Sequence, residues 1–174
     1  MQERKLSSEM KFDGKLIKVT YDIADVNGKE AWREVVHHPG ASAVVAIDDD
    51  GRIIMEKQFR YALNDYLLEI PAGKLDAGED PLVCAKRELE EETGIIASEW
   101  ISLGTIATSP GFCNEVIHLY VAKGLSKGEI HWDEDEYVEV ERYTFDELLQ
   151  CIKEETIKDS KTLSALLLAM PYMQ

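Results

Sequence analysis

Gly73 to Ile95 reads GKLDAGEDPLVCAKRELEEETGI, a glycine-punctuated loop that runs into a helix dense with acids. Asp80 is a good N-cap, Pro81 stands where a first-turn proline is tolerated, and Gly94 falls where a C′ glycine belongs. The pattern therefore predicts a helix over residues 81–93. At about 100° per residue, Leu82, Ala85 and Leu89 share a face suited to packing on a core. Glu88, Glu91 and Glu92 share the adjoining face, while Glu90 projects to the far side and is expected to be solvated. Three like charges on one short face repel one another, and the C-terminal half of a helix is the wrong end for them. A cation must compensate.

An acidic run is, taken alone, an ordinary solvated helix face. Its neighbours make this one unusual. Glu79 lies just before the helix, and Arg87 stands beside Glu88 where it can pair with Glu79 or Glu91. Clustered carboxylates with no Cys or His among the acids suit a hard divalent ion such as Mg²⁺ or Mn²⁺ rather than zinc.

The whole chain bounds what such a segment can serve. Its 174 residues are enough for one well-buried core and short for two full domains. Thirty-four acids against nineteen Lys and Arg give a formal charge of −15, which repels DNA, RNA and anionic membranes. No nucleic-acid polymer and no membrane is expected as a partner. A small anionic substrate would be repelled too, unless metal ions and local cations neutralised it. Cys84, Cys113 and Cys151 are widely spaced and odd in number, which suits reduced thiols rather than disulfides or zinc. The N-terminus MQERKLSSEM has no apolar signal region, and the longest apolar run is too short to span a bilayer. A cytoplasmic location is the expectation.

Outward from the helix, residues 11–36 read as strands with an Asn27-Gly28 hairpin turn. His37-His38-Pro39-Gly40 reads as a polar corner, because adjacent histidines on a strand point to opposite faces. Residues 41–47 (ASAVVAI) read as a continuous small-apolar strand, Asp48 to Gly51 as a turn and 52–59 as the return strand, and 67–71 as a short strand leading into the glycine loop. Further strands are expected at 100–108, 116–122 and 139–143. Thr144 with Glu147 makes a capping box for a helix from Phe145 to about Glu155, and a cap near Ser160 opens a last helix through Met170. Strands, helix, strands, helices in that order read as an α/β sandwich with a mixed sheet, plus an N-terminal antiparallel β-hairpin segment.

Gly73, Glu79, Arg87-Glu88-Leu89, Glu91-Glu92 and Gly94-Ile95 together resemble a complete Nudix box, with no position departing from the family pattern. The resemblance implies an α/β/α sandwich in which the box binds divalent metals and hydrolyses a nucleoside diphosphate linked to another moiety. Pro110, sixteen positions after Gly94, is similar to the ADP-ribose pyrophosphatase branch. So are Gln58-Phe59-Arg60, the stretch from Glu69 to Lys74, and Ser109-Pro110-Gly111. The likeness spans about residues 30 to 145.

From the resemblance follow further expectations. The activity implied is Mg²⁺- or Mn²⁺-dependent cleavage of ADP-ribose to AMP and ribose 5-phosphate, with two or more ions per site. Glu88, Glu91 and Glu92 with the Ala72 carbonyl would hold the metal, and Arg87 would assist. Arg60 would contact phosphate; Glu115, Pro110 and Gly111 would lie near the substrate. Trp32 and Arg33 would hold adenine, across the interface of a homodimer. Glu136 would be the general base, with Glu134 its nearest rival. Residues 1–38 would be the dimerising β segment and 39–174 the hydrolase domain. ADP-glucose, GDP-mannose and dinucleotide cofactors stay open as substrates. A non-catalytic nucleotide-sugar sensor is the other class, and the intact set Arg87, Glu88, Glu91 and Glu92 argues against it.

Overall fold

The computed structural model describes residues 2–131 and 137–173. The chain divides into two compact units, residues 1–40 with 107–116, and residues 41–106 with 117–174.

The first unit is an antiparallel sheet of β1 (Arg4–Asp13), β2 (Lys18–Val26) and β3 (Lys29–His37), in that order. The expected hairpin is β2–β3, closed by Asn27 and Gly28 at φ 55° and 82°, and the Asp25 carboxylate accepts the Gly28 N–H at 2.7 Å. The structure adds β1, which the sequence reading left out. Leu6, Met10 and Phe12 alternate with polar residues along it, yet every one of its residues is exposed. What makes it a strand is pairing to β2, through a register that shifts between Lys5 and Ser7 and again between Met10 and Phe12. The loop at residues 107–116 joins this unit through the Val36–Cys113 bridge.

The second unit holds two sheets. β4 (Ala41–Ala46), β7 (Ala72–Lys74), β8 (Ile95–Ala107) and β9 (Val116–Lys127) make the sheet β7-β4-β9-β8. It is mixed, since β4 runs antiparallel to β7 and parallel to β9. β5 (Ile53–Arg60), β6 (Asp65–Glu69) and β10 (Val138–Tyr143) make an antiparallel sheet with β5 in the middle. Among the described residues, helices α1 (Pro81–Thr93), α2 (Phe145–Lys153) and α3 (Ser160–Ala169) and a 3-10 turn (Met170–Tyr172) complete the unit.

β4 explains the layering. Every one of its residues is buried, and successive side chains go to opposite faces. Val44 and Ala46 join Ala85 and Leu89 of α1 in one apolar cluster. Ala43 and Val45 join Leu148 of α2 and Ala165, Leu166 and Ala169 of α3 in the other. A strand covered on both sides takes small apolar residues on both faces, which is why ASAVVAI does not alternate, and its one polar side chain, Ser42, donates to the Pro81 carbonyl at 2.7 Å. The helix–sheet–helix sandwich follows.

Helix boundaries agree closely with their caps. Asp80 accepts the Leu82 N–H at 2.9 Å, and Gly94 closes α1 in the left-handed region at φ 66°. The Thr144–Glu147 capping box is formed, but α2 stops two residues short of the expected end. The cap expected near Ser160 is Asp159, whose side chain accepts the Thr162 N–H. Among the described residues, no helix is long and apolar enough to cross a membrane.

Candidate active site

α1 carries the box acids, and its packing fixes which of them are available. Cys84, Ala85 and Leu89 are buried against the sheet, which turns Arg87, Glu88 and Glu91 toward the glycine loop. Arg87 is the compensating cation that the charge pattern requires. Its Nε and Nη2 grip Glu79 at 3.0 Å each, and its Nη1 donates to Glu88 at 2.8 Å and to Glu91 at 3.0 Å. Nη2 also donates to the Lys74 carbonyl at 3.1 Å, tying helix to loop. The guanidinium holds the Glu79 carboxyl down to about 2. Glu90 departs from expectation: it is partly buried and accepts the Glu129 N–H at 3.4 Å.

Glu92 turns inward, 3% exposed, and its Oε2 accepts the Ala72 N–H at 3.0 Å. The box acid is thus anchored on the turn whose carbonyl the sequence pattern nominates as a ligand. Gly73 shows why glycine stands there. A Cβ built on it would lie 1.9 Å from the Glu88 carboxyl carbon. Gly73→Ala should therefore leave the fold intact, because a flexible side chain can move aside, but push the Glu88 carboxylate from its place. Turnover is expected to fall by about 10²-fold with little change in melting temperature; an unchanged kcat would remove Glu88 from the site.

Among the described residues, no three acidic, His or Cys side chains converge into a preformed metal cage. Arg87 is bonded to Glu88 and Glu91, and the Ala72 amide to Glu92. The donor chemistry nevertheless fits a hard divalent ion: Glu88, Glu91, Glu92 and the Ala72 carbonyl offer oxygen alone.

Behind the box lies a buried polar network that the sequence reading missed. The Arg60 fork is bonded on one side to Glu69, Nε to Oε1 and Nη2 to Oε2, each at 2.7 Å, and its side chain stays 38% exposed. Glu69 also takes the ammonium of Lys161, which donates in turn to Asp159 at 3.0 Å. Burial pushes Glu69 up, yet the Arg60 fork and Lys161 outweigh it and hold the carboxyl below its ordinary range. Thr162 receives the Ile70 N–H at 3.1 Å and donates to Asp159 at 2.6 Å, so the cap of α3 is fastened to the strand leading into Ala72. Glu56, opposite Glu69 on the neighbouring strand, is 3% exposed and touches Glu92; burial pushes its carboxyl up to about 8. A lone acid after Ile53-Ile54-Met55 was the available signal for Glu56. Lys161, ninety-two residues from Glu69, had none.

In the first unit, Trp32 is 60% exposed and stacks on Tyr21, centroids 6.4 Å apart and planes 8° from parallel. Arg33 forks onto Glu3, Nε at 3.0 Å and Nη2 at 2.7 Å. Both line a depression of ≈ 680 Å³ together with Gly111 and Phe112. Pro110 and Glu115 line a neighbouring one of ≈ 550 Å³. The Thr108 hydroxyl donates to Glu115 at 2.8 Å, and His38 Nδ1, which accepts the Gly40 N–H at 3.1 Å, lies 3.2 Å from that carboxylate. His38 is thereby a polar corner with a partner. Glu134 and Glu136 lie outside the described residues.

Known proteins resemble this chain over most of its length. A NUDIX domain model matches residues 36–166. A methanol dehydrogenase activator of Bacillus methanolicus is 49% identical, over 99% of this chain and 93% of its own. An ADP-ribose pyrophosphatase of Bacillus subtilis (strain 168) is 44% identical, over 95% of this chain and 91% of its own. A crystal structure of an ADP compounds hydrolase superposes with a TM-score of 0.87 over 99% of this chain and 95% of its own; at 22% identity it speaks for the fold. With a family model spanning most of the chain, and the box acids gathered around Arg87 on the helix that carries them, the chain belongs to the Nudix hydrolase family.

Proposed function

We propose that this chain is a Mg²⁺- or Mn²⁺-dependent pyrophosphatase of ADP-ribose and related ADP-sugars, releasing AMP and ribose 5-phosphate. The observation that carries the reading is the unbroken acid set on α1 beside the Ala72 turn, and the Bacillus subtilis relative's name supports the choice of substrate.

Water must attack a phosphorus already surrounded by negative oxygens, in a protein of charge −15. Glu88, Glu91, Glu92 and the Ala72 carbonyl would hold the divalent ion, which when bound supplies positive charge to the non-bridging oxygens and lowers the pKa of a water. Arg87 holds Glu88 and Glu91 beside each other despite their repulsion. Arg60 is oriented by Glu69 while its side chain stays 38% exposed, which leaves an outer edge for phosphate. Trp32 offers a flat ring face for adenine with Arg33 beside it, and Pro110, Gly111 and Glu115 shape the same unit for the sugar. Glu136 is the proposed base and Glu134 the alternative. Residues 1–38, with every position of β1 exposed, would pair two copies into a homodimer, and residues 39–174 would be the hydrolase domain.

AMP release from ADP-ribose, measured with Mg²⁺ and after its chelation, tests the reading. Metal-dependent release is expected. Absence of metal-dependent nucleoside monophosphate release from ADP-ribose, ADP-glucose, GDP-mannose and dinucleotide cofactors alike would overturn it. The Bacillus methanolicus relative's name favours a second reading, in which the chain acts on a dehydrogenase. Stimulation of a dehydrogenase without turnover of any free nucleotide would favour that one.

A further inference from the structure

Glu56 is the buried acid to which the proposed chemistry gives no task. It follows three apolar residues on β5 and is 3% exposed. Its Oε1 is buried and has no hydrogen-bond partner among the described residues. The neighbouring acids are balanced: buried Glu69 by Arg60 and Lys161, half-buried Asp159 by Lys161 and the Thr162 hydroxyl. Glu56 has the Glu92 carboxyl as its side-chain neighbour, while Lys161 and Arg60 act on it only through space. Glu92 is in turn fixed by the Ala72 amide, beside the carbonyl proposed to bind metal.

Two carboxyls in contact inside a protein need a positive charge or a proton between them. The orphaned Glu56 oxygen adds unused acceptor capacity at that point. Strand alternation puts Glu56, Gln58 and Arg60 on one face of β5, so the backbone itself directs Glu56 to the side that Arg60 shares. We propose that Glu56 is a further ligand of the divalent ion held by the box, adding an oxygen from β5 to those of Glu92 and the Ala72 turn. The proposal rests on the reading that Glu92 holds metal. Its consequence is a more negative site that takes up Mg²⁺ or Mn²⁺ before any nucleotide arrives, with one ligand supplied from outside the box motif.

Mn²⁺ titration of the full chain without nucleotide tests this, by the paramagnetic resonance of free Mn²⁺ and by calorimetry. Glu56→Gln keeps the volume and can donate a hydrogen bond to Glu92, but brings no charge. Glu56→Ile matches the apolar residues before it. Both variants should melt at or above the parent's temperature, since a buried charge is gone. Both should bind the tightest Mn²⁺ at least about tenfold more weakly. Parent-like Mn²⁺ affinity in Glu56→Gln would overturn the proposal and leave Glu56 as a proton-bearing prop for Glu92. If the parent binds no Mn²⁺ at all, the metal reading of the box falls with it, and the two failures are told apart by that one titration.

Discussion

Glu92→Gln is expected to lower kcat by on the order of 10³-fold while the protein stays folded. The two halves of that expectation come from different parts of the residue's surroundings. Glu92 is 3% exposed, and a buried group is normally risky to change. Here, however, glutamine can keep both contacts. Its amide oxygen can accept the Ala72 N–H as Oε2 does at 3.0 Å, and its NH₂ can donate to Glu56. What it cannot supply is the negative charge. Metal affinity and the charge stabilisation that depends on it should fall together, by several kcal/mol in the transition state. Initial rates of AMP release at saturating Mg²⁺, set beside a thermal melt, measure both. A folded Glu92→Gln enzyme within tenfold of the parent would mean that the ion is held elsewhere.

The local signals in this sequence were strong where chemistry is local. Asp80, Pro81 and Gly94 bound α1 by their own conformational preferences, and Thr144 with Glu147 opened α2 in the same way. Box spacing placed Glu88, Glu91 and Glu92 on adjoining helix positions, and Arg87 could be foreseen as their counter-charge. Illegible were the partners brought in from a distance. Arg60 reads as an open cation in Gln58-Phe59-Arg60, because nothing nearby announces that Glu69 takes its fork. Glu90 reads as solvated because the backbone of Glu129 approaches it only in the folded chain. β1 was missed for a related reason: its order comes from the ladder to β2, not from a buried face of its own. Periodicity reports which residues are covered, whereas pairing between polar groups is decided by the tertiary fold.

Lys161→Met should destabilise the protein by about 3 kcal/mol, a fall of roughly 6–12 °C in Tm for a chain of this size. Lys161 is 10% exposed at its side chain, and it is the cation shared between Glu69 and Asp159. Methionine fills a similar volume, so packing changes little; the loss is electrostatic. Glu69, 3% exposed at its side chain, would keep only Arg60, and Asp159 would keep only the Thr162 hydroxyl and amide. A carboxylate stripped of a buried partner costs more than the pair contributes when intact, because its desolvation is no longer offset. Glu69→Gln in the Lys161→Met background gives the decisive comparison. If the two groups act on each other, the double variant should be less destabilised than the sum of the singles, by on the order of 1–3 kcal/mol. The damage should also reach the active site, since Thr162 holds the Ile70 amide two residues before Ala72. Loosening α3 at its cap should thus raise KM through Arg60 before kcat suffers. A Tm within about 2 °C of the parent would mean that Lys161 contributes nothing net, and that apolar packing around α3 alone holds the strand leading into Ala72.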